Sequence, residues 1–215
     1  MHETEAGGSA ARRQFLRSLF HDLATPLSAV SLHLEGASRR AARGDDPSPS
    51  LDVARHELSR AFDLFERGRE LLLAANDEVE SIAFDEWVES TVRGLENGVD
   101  VTGSTRGRIS GDRARLSEAL SALVVNALES ASGQSISVVR ARAGDELTVR
   151  IENPGRLPGD DPEKLFAPRA AASGRGWGMG LARARLYAAD AGGAVRLSQT
   201  GDRVSAVLSI PEERT

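Results

Sequence analysis

The sequence predicts an α+β protein in two parts, a helical hairpin followed by an α/β sandwich. Residues 9–76 carry almost no strand pattern, and their one internal helix-breaking cluster, residues 44–50, indicates a loop between two helices. From about residue 80, short β-rich stretches alternate with helices and Gly-rich turns. Because strands and helices do not alternate strictly, we expect helices on one face of a mixed sheet. The predicted domains are residues 1–78 and 79–215.

Two apolar patterns of heptad type support the hairpin. Apolar side chains recur at alternating spacings of four and three residues, which is typical of a coiled coil or a four-helix bundle. They are Leu16, Phe20, Leu23, Leu27, Val30 and Leu34 in the first helix and Leu51, Ala54, Leu58, Ala61, Phe65 and Leu72 in the second. Two helices cannot cover two such stripes well, whereas two hairpins can pair around a shared axis. We therefore expect a homodimer that forms a four-helix bundle.

The C-terminal part contains seven predicted strands and three predicted helices. The strands lie at residues 81–84, 99–102, 108–110, 136–143, 147–152, 194–200 and 203–210, and the helices at residues 85–95, 113–132 and 179–191. The segments Gly144-Asp145 and Thr200-Gly201-Asp202 indicate two hairpin turns between strands.

The composition is that of a soluble globular protein without thiol chemistry. The chain has 215 residues, a formal charge of -5, and 40% hydrophobic and 27% charged residues. Mild acidity argues against non-specific nucleic-acid binding, and the lack of cysteine excludes disulfides, Cys-based zinc sites and thiol catalysis. No apolar run is long enough to span a bilayer, so we expect a cytoplasmic protein that binds neither nucleic acid nor membrane. Lys164, the only lysine, lies in Glu-Lys-Leu, which excludes a P-loop.

His21 is the first candidate for chemistry, because the heptad pattern leaves its imidazole on the solvent-facing flank of the first helix. Asp22 beside it can accept a proton from one ring nitrogen and leave the other as a nucleophile, and Thr25 lies one turn further on the same face. Pro26 removes a helical N–H group and should bend the helix, at a cost of about 3 kcal/mol. A lone exposed histidine is usually only a solvated residue, but a proline within a strong heptad pattern favours a functional role.

Glycines at every second position form the next candidate, since Gly174, Gly176, Gly178 and Gly180 lead into a predicted helix. They permit close backbone approach, and the helix N-terminus that follows them is a natural phosphate site. The spacing does not fit a dinucleotide fingerprint of Rossmann type. A flexible surface loop is the alternative interpretation.

Asn126 is the third candidate, because its neighbours on the predicted helix are apolar. An amide among them must find a partner. That partner is either a structural hydrogen bond or a ligand such as a Mg²⁺ ion that carries phosphates.

In order and spacing, these features resemble the catalytic core of two-component sensor histidine kinases over residues 12–211. The matching segments are residues 21–27 for the phosphoacceptor box, 112–130 for the asparagine box, 151–155 and 176–181 for the two glycine boxes, and 165–168 for the phenylalanine box. No single box is decisive, but five boxes in register are hard to attribute to chance. The resemblance implies that the sandwich is of the histidine-kinase-like ATPase type.

The resemblance also implies site residues, cofactors and partners. It implies phosphorylation of His21, with Asp22 as general base and with Thr25 positioning water in the reverse, dephosphorylating reaction. It implies ATP and Mg²⁺ as cofactors, with Asn126 on the metal. The implied nucleotide-binding residues are Asn126, Asn153, Gly155, Phe166, Gly176, Gly178, Gly180 and Leu181. The implied partners are the receiver domain of a response regulator and a second copy of this chain.

Some positions depart from the family pattern and keep two other interpretations open. Asn153 stands where the family usually has an aspartate, Ala122 where many members have a further asparagine, and Arg169, Ala171 and Ser173 where an aromatic, a threonine and a lysine are common. These departures favour a histidine phosphotransferase that relays phosphoryl groups through His21 beside a vestigial ATP domain. A noncatalytic dimeric interaction module is the third interpretation. About 20 residues precede His21, which predicts either an excised core or a stand-alone protein that receives its signal from a separate sensor protein.

Overall fold

The computed structural model describes residues 2–73, 78–95, 99–159, 161–167 and 179–214, without the side chains of residues 2–9. These residues divide into two compact units. A helical unit contains residues 14–73. An α/β unit contains the described residues from 78 onward, and residues up to 13 are grouped with it. Among the described residues, no helix is long and apolar enough to cross a membrane.

The helical unit is the expected hairpin. Helix α1 (His2–Ala42) and helix α2 (Ser48–Leu73) are joined by a short turn in which Gly44 has a φ of 79°. This positive φ favours glycine because it lacks a Cβ atom. Asp46 Oδ1 accepts a hydrogen bond of 2.9 Å from the Ser48 N–H group and so begins α2. The predicted loop and both predicted helices are confirmed.

The inner face of the hairpin pairs large side chains on α1 with small ones on α2. Its buried residues are Phe15, Leu19, Pro26 and Ala37 on α1 and Ala54, Ala61, Leu64 and Gly68 on α2. A Cβ atom on Gly68 would lie 2.4 Å from Leu19 Cδ2, which is shorter than a van der Waals contact. Gly68 therefore allows α2 to approach Leu19 more closely than any other residue would.

The predicted apolar seam of α1 does not lie between the two helices of one chain. Phe20, Leu27 and Leu34 are 65%, 46% and 46% exposed, and the buried positions lie one residue earlier, at Leu19 and Pro26. On α2, the predicted positions divide between the two faces. Ala54 and Ala61 are buried, whereas Leu51, Leu58 and Phe65 are exposed. The apolar stripe is wider than one helix contact, so each helix keeps an outer apolar row at heptad spacing.

The α/β unit contains seven strands, as the sequence predicts. Its elements are β1 (Val79–Ala83), α3 (Phe84–Arg93), β2 (Val99–Thr102), β3 (Arg108–Asp112), α4 (Arg113–Ser130), β4 (Ile136–Ala143), β5 (Glu146–Pro154), a 3₁₀ helix (Pro162–Phe166), α5 (Gly180–Asp190), β6 (Ala194–Thr200) and β7 (Arg203–Pro211). Every predicted strand and helix is present with bounds that agree within two residues. The short 3₁₀ helix was not predicted, because five residues are too few to show a period.

Five of the strands form a mixed sheet with the order β2-β4-β5-β7-β6, in which only β2 and β4 run parallel. Strands β1 and β3 form a separate antiparallel ribbon. Alternate residues of the sheet are buried, and together with α3 and α4 they form the core. The largest fully buried side chains are Trp87, Phe84, Ile82, Ile109, Leu116, Leu120, Leu123, Ile136, Leu147, Ile151, Leu208 and Ile210. The prediction of helices packed on one face of a mixed sheet is confirmed.

Helices α4 and α5 pack antiparallel, and side-chain pairs show their relative direction. Near the start of α4, Arg115 forms an ion pair of 3.3 Å with Asp190 at the end of α5. Further along α4, a Cβ atom on Gly180 would lie 3.7 Å from Ala122 Cβ. The beginning of α5 therefore lies beside the C-terminal half of α4.

Asp85, in the first turn of α3, holds the loop that precedes β3. Its carboxylate accepts hydrogen bonds from Ser104 Oγ at 2.6 Å, from the Thr105 N–H group at 3.0 Å and from the Arg106 N–H group at 3.1 Å. Burial raises the pKa of Asp85, but the hydrogen bonds from Ser104, Arg106 and Thr105 outweigh it, so this pKa lies below its usual value of 3.8.

We predict that Asp85→Ala lowers the free energy of unfolding at pH 7 by about 1–2 kcal/mol, since it leaves several donors unpaired at a partly exposed site. The contribution of the lowered pKa is fully present above the unfolded value of about 3.9 and is lost as the pH falls through the lower folded value. Urea unfolding between pH 7 and pH 2.5 measures both effects. The exposed Asp100 provides the control. An equal loss in Asp100→Ala would contradict the assignment.

Candidate functional site

His21 lies on α1 with its side chain 83% exposed, as the sequence predicts. Its Nδ1 atom is 3.1 Å from Asp22 Oδ1. An ionised carboxylate can only accept, so Nδ1 carries the proton of this hydrogen bond. Nε2 is then the unprotonated ring nitrogen, which makes the exposed imidazole a competent nucleophile.

Asp22 lies between two buried positions of α1. It follows the buried Leu19 by three residues and precedes the buried Pro26 by four, so it belongs to the inner face of the hairpin. Its Oδ2 atom is buried and has no hydrogen-bond partner among the described residues. One carboxylate oxygen therefore orients His21 while the other faces the interior of the hairpin. Thr25 is exposed one turn beyond His21, where a side chain can reach the same solvent region.

A second candidate region lies in the α/β unit, where the C-terminal half of α4 meets the beginning of α5 and the end of β5. Asn126 follows Ala122 by one helical turn, and Ala122 faces Gly180. A Cβ atom on Gly155 would lie 3.7 Å from the carbonyl oxygen of Ser130, the last residue of α4. The fold thus brings Asn126, Gly155 and Gly180 to the same end of the unit.

Asn126 lies on a solvent-facing side of α4. The side chain is exposed, as is Val125 next to it at 40%. The apolar neighbours in sequence do not all point into the core, because α4 turns one face to solvent. The exposed carboxamide oxygen is accessible to a ligand, which is one of the two kinds of partner that the sequence leaves open.

Asn153, at the end of β5, is only 4% exposed. Its Nδ2 group donates a hydrogen bond of 2.9 Å to the carbonyl oxygen of Pro154. This leaves Oδ1 as the acceptor of the side chain. Gly155, two residues on, has a φ of 141° and donates its N–H group to the Asp202 carbonyl oxygen at 2.9 Å. A side chain at Gly155 would be strained and would lie against Asn153 Nδ2.

The N-terminus of α5 is the element best suited to an anion. Met179, its N-cap residue, makes no side-chain cap hydrogen bond. The first N–H groups of the helix are therefore not capped by that side chain, and the helix dipole favours negative charge there. Gly180 and the half-buried Leu181 begin this helix. Gly176 and Gly178, which complete the predicted glycine pattern, lie outside the described residues.

Phe166, in the 3₁₀ helix, is 5% exposed and lies against α5. Arg185 places its guanidinium carbon 4.5 Å from the centre of the Phe166 ring. The same guanidinium group forms an ion pair of 2.7 Å with Glu163. Arg185 was not singled out from the sequence, because a contact across 22 residues leaves no local signal.

A cavity of about 220 Å³ lies at the opposite end of the α4–α5 pair, away from Asn126 and Gly180. Arg115 lines it, with ion pairs of 3.4 Å to Asp112 and 3.3 Å to Asp190 and with the Tyr187 ring at 5.3 Å. Burial raises the pKa of Tyr187, and Glu118 raises it further. Because two carboxylates already neutralise the buried guanidinium group, this cluster is suited to anchoring α4 to α5.

Mg²⁺ is the metal ion that the sequence resemblance implies. Within the part of the chain that the structure describes, no group of three or more His, Cys, Asp or Glu side chains could hold a metal ion. In the candidate region, the exposed carboxamide oxygen of Asn126 lies near the N-terminus of α5, whose N-cap residue Met179 makes no side-chain cap hydrogen bond. This set fits Mg²⁺ that arrives with a nucleotide, because Mg²⁺ keeps several waters and takes further oxygens from phosphates.

The fold agrees with comparisons to known proteins. Residues 111–214 match the family described as histidine kinase-, DNA gyrase B-, and HSP90-like ATPase. The C-terminal part of the chain therefore carries an ATPase domain of this family. Among solved structures, the catalytic domain of the histidine kinase ThkA has the same fold, with a TM-score of 0.56 and 24% identity over 63% of this chain and 96% of that chain. The Acinetobacter baumannii histidine kinase AdeS gives a TM-score of 0.54 and 21% identity over 90% of this chain and 98% of that chain.

The chain is homologous to sensor histidine kinases. It is 30% identical over 228 residues to the sensor-like histidine kinase SenX3 of Mycolicibacterium smegmatis, covering 94% of this chain and 58% of the relative. SenX3 of Mycobacterium tuberculosis is 27% identical over 223 residues, covering 94% of this chain and 54% of the relative. The chain thus spans a little more than half the length of these curated relatives. The resemblance that the sequence motifs indicate is confirmed.

We predict that Asn153→Asp destabilises the nucleotide-free protein by about 1–3 kcal/mol at pH 7, since a carboxylate oxygen replaces the donor that faces the Pro154 carbonyl oxygen. Urea unfolding provides the measurement. Asn126→Asp makes the same chemical change at an exposed position, where we expect an effect within about 0.5 kcal/mol. Similar losses in the two variants would show that the buried hydrogen bond of Asn153 contributes little.

Proposed function

We propose that this chain is the core of a two-component histidine kinase, which transfers the γ-phosphoryl group of ATP to His21 and then to an aspartate of a response regulator. The observation that carries the proposal is the exposed His21, hydrogen-bonded through Nδ1 to Asp22, in a chain whose C-terminal unit is an ATPase domain of the histidine kinase type. The two roles divide between residues 1–78, which carry the phosphoacceptor, and residues 79–215, which bind the nucleotide. The setting is cytoplasmic, in keeping with a chain that has no cysteine.

His21 acts as the nucleophile. Its Nε2 lone pair forms a bond to the γ-phosphorus while the bond from that phosphorus to the bridging oxygen breaks, and the electron pair leaves on ADP. Asp22 keeps the proton on Nδ1 and offsets the positive charge that develops on the imidazole ring. The phosphoryl group then passes from Nε2 to a carboxylate oxygen of the receiver domain. Thr25 is positioned to orient water when the regulator is dephosphorylated.

ATP supplies the phosphoryl group, and each residue of the second region has a part in holding it. Asn126 would hold Mg²⁺ through its carboxamide oxygen, and the ion would offset negative charge on the phosphates. The N–H groups at Gly180 and Leu181, with Gly176 and Gly178 before them, hold the triphosphate. Asn153 accepts from the adenine amino group through Oδ1, Gly155 allows the base to approach closely, and the Phe166 ring packs against it.

The outer apolar rows of the hairpin support a homodimer. Phe20, Leu27 and Leu34 on α1 recur every seven residues, and so do Leu51, Leu58 and Phe65 on α2. Exposed apolar rows at this spacing are typical of helices that pack against a further helix. A second hairpin covers both rows at once and completes a four-helix bundle.

A histidine phosphotransferase with a vestigial ATP domain is the second candidate, and one observation favours it. Asn153 is neutral and already uses its Nδ2 group on Pro154, so the adenine finds an uncharged acceptor. A neutral hydrogen bond is weaker than a charge-assisted one by about 1 kcal/mol, which corresponds to a several-fold loss of affinity. The exposed Asn126 and the uncapped α5 favour the kinase.

We predict that the wild-type protein with Mg-ATP incorporates label from the γ-phosphate, that His21→Gln abolishes the labelling, and that Asn126→Asp lowers it at least about tenfold by placing negative charge beside the triphosphate. Acid-labile labelling with γ-³²P-ATP is the measurement. His56→Gln removes another exposed histidine and should label normally. Label that survives in His21→Gln would refute the assignment of the phosphoacceptor. Labelling of His21 by a phosphorylated receiver domain but not by ATP would identify the relay protein.

We predict a particle of twice the 22.9 kDa chain mass at micromolar concentration. Leu27→Glu places a charge in the outer row of α1 and should dissociate the dimer. Multi-angle light scattering provides the measurement. Leu32→Glu is the control, because Leu32 is 67% exposed and lies more than 100° around the helix from the outer row of α1. A monomeric wild-type protein at these concentrations would exclude the bundle.

A further inference from the structure

Arg185 makes two contacts at once, and both are with the 3₁₀ helix that carries Phe166. Its guanidinium carbon lies 4.5 Å from the centre of the Phe166 ring, within the range of a cation–π interaction. Its Nη1 group donates to Glu163 Oε2 at 2.7 Å, which is the length of a charge-assisted hydrogen bond. The planar guanidinium group thus joins the carboxylate and the ring of one short helix to α5.

Phe166, Arg185 and Glu163 differ in how deeply their side chains are buried. Phe166 is 5% exposed, the Arg185 side chain 25% and the Glu163 side chain 57%. The ring is therefore enclosed on one side by the arginine, while the exposed carboxylate holds the guanidinium group from the solvent side. Asp161 caps the 3₁₀ helix by accepting from the Glu163 N–H group at 3.0 Å, so that Glu163 is itself held in place.

Arg185 also acts close to the beginning of α5. It follows Leu181 by four residues, so the two side chains lie on the same face of the helix, one turn apart. The contact with Phe166 therefore fixes the ring relative to the first turn of α5. Phe166 and Gly180 are two parts of the candidate nucleotide site and lie 14 residues apart in the sequence. The side chain of Arg185 joins them.

We infer that Arg185 is a positioning residue of the nucleotide site, which holds the Phe166 ring against the first turns of α5 before the nucleotide binds. This inference rests on the proposed binding of ATP. Without Arg185, Phe166 must be ordered when the base binds, and the entropy of that ordering lowers affinity. Arg185 is not among the residues proposed to hold the phosphates or to transfer the phosphoryl group, so its loss should raise the Kd and KM for ATP and leave kcat nearly unchanged.

The experiment is calorimetric titration of the full chain with Mg²⁺ and a nonhydrolysable ATP analogue, together with the KM and kcat of autophosphorylation. We expect Arg185→Gln to raise the Kd about 5- to 20-fold, in line with a partly buried cation–π contact and ion pair. Arg185→Lys, which keeps the positive charge near the ring and the carboxylate, should recover about half of that loss on a logarithmic scale. Glu163→Gln should have a smaller effect than Arg185→Gln.

Arg113→Gln is the matched control, because Arg113 forms an exposed ion pair of 3.0 Å with Glu80 and contacts no aromatic ring in the described residues. We expect its Kd to equal that of the wild type. All titrations are made well below each variant's thermal midpoint, and the number of sites is fitted separately from the Kd. A merely structural role would reduce the number of sites and leave the Kd of the folded molecules unchanged, which would overturn the inference.

Different results would contradict the proposed nucleotide site and the role of Arg185. A wild-type protein that binds no analogue at millimolar concentration overturns the proposed nucleotide site and this inference with it. A wild-type protein that binds, with an Arg185→Gln variant of equal Kd, overturns only the role of Arg185. A rise in Kd that Arg113→Gln reproduces would assign the effect to net charge and would likewise overturn it.

Discussion

The antiparallel packing of α4 against α5 is the constraint on which the candidate nucleotide site depends. Arg115 fixes one end of this pair through Asp112 and Asp190, with the Tyr187 ring against its guanidinium group. With that end anchored, the beginning of α5 has to lie beside Ala122 and, one turn further, Asn126. The exposed carboxamide of Asn126 and the N-terminus of α5 are thereby brought to the same end of the α/β unit.

In the helical unit, the corresponding constraint is that each helix has two apolar faces, one turned toward the other helix and one exposed. The inner face is satisfied within the chain by pairing large side chains of α1 with small ones of α2. Asp22 lies on this inner side and His21 on the exposed flank. The carboxylate that orients the imidazole therefore belongs to the next residue along α1. Pro26 occupies a buried position of the same inner face. The residue of this turn that has no backbone N–H group is therefore buried.

Much of this arrangement was accessible from the sequence, for identifiable physical reasons. The period of the apolar residues predicts each strand and helix, and turn residues such as Gly201 mark the hairpins. The exposure of His21 follows from helix geometry alone. Periodicity could not show which of two adjacent rows faces α2, because Asp22 and Pro26 interrupt the row of Leu19, whereas the row of Phe20 is apolar throughout. Asn126, for which the sequence leaves a structural hydrogen bond or a ligand open, is exposed on α4. The Arg185 contacts link distant segments and depend on the tertiary fold, so no local pattern announces them.

The contact between Gly68 and Leu19 sets limits on which mutations this protein tolerates. Glycine within a helix costs about 1 kcal/mol relative to alanine, so a simple helix-propensity rule would treat Gly68 as a position to improve. The added methyl group would instead meet Leu19 Cδ2 at 2.4 Å, and Leu19 precedes His21 by only two residues. A substitution on one helix would thus force the Leu19 side chain of the other helix to move, two residues before His21. Loss of activity in such a variant would have its origin in packing, on a residue that carries no functional group.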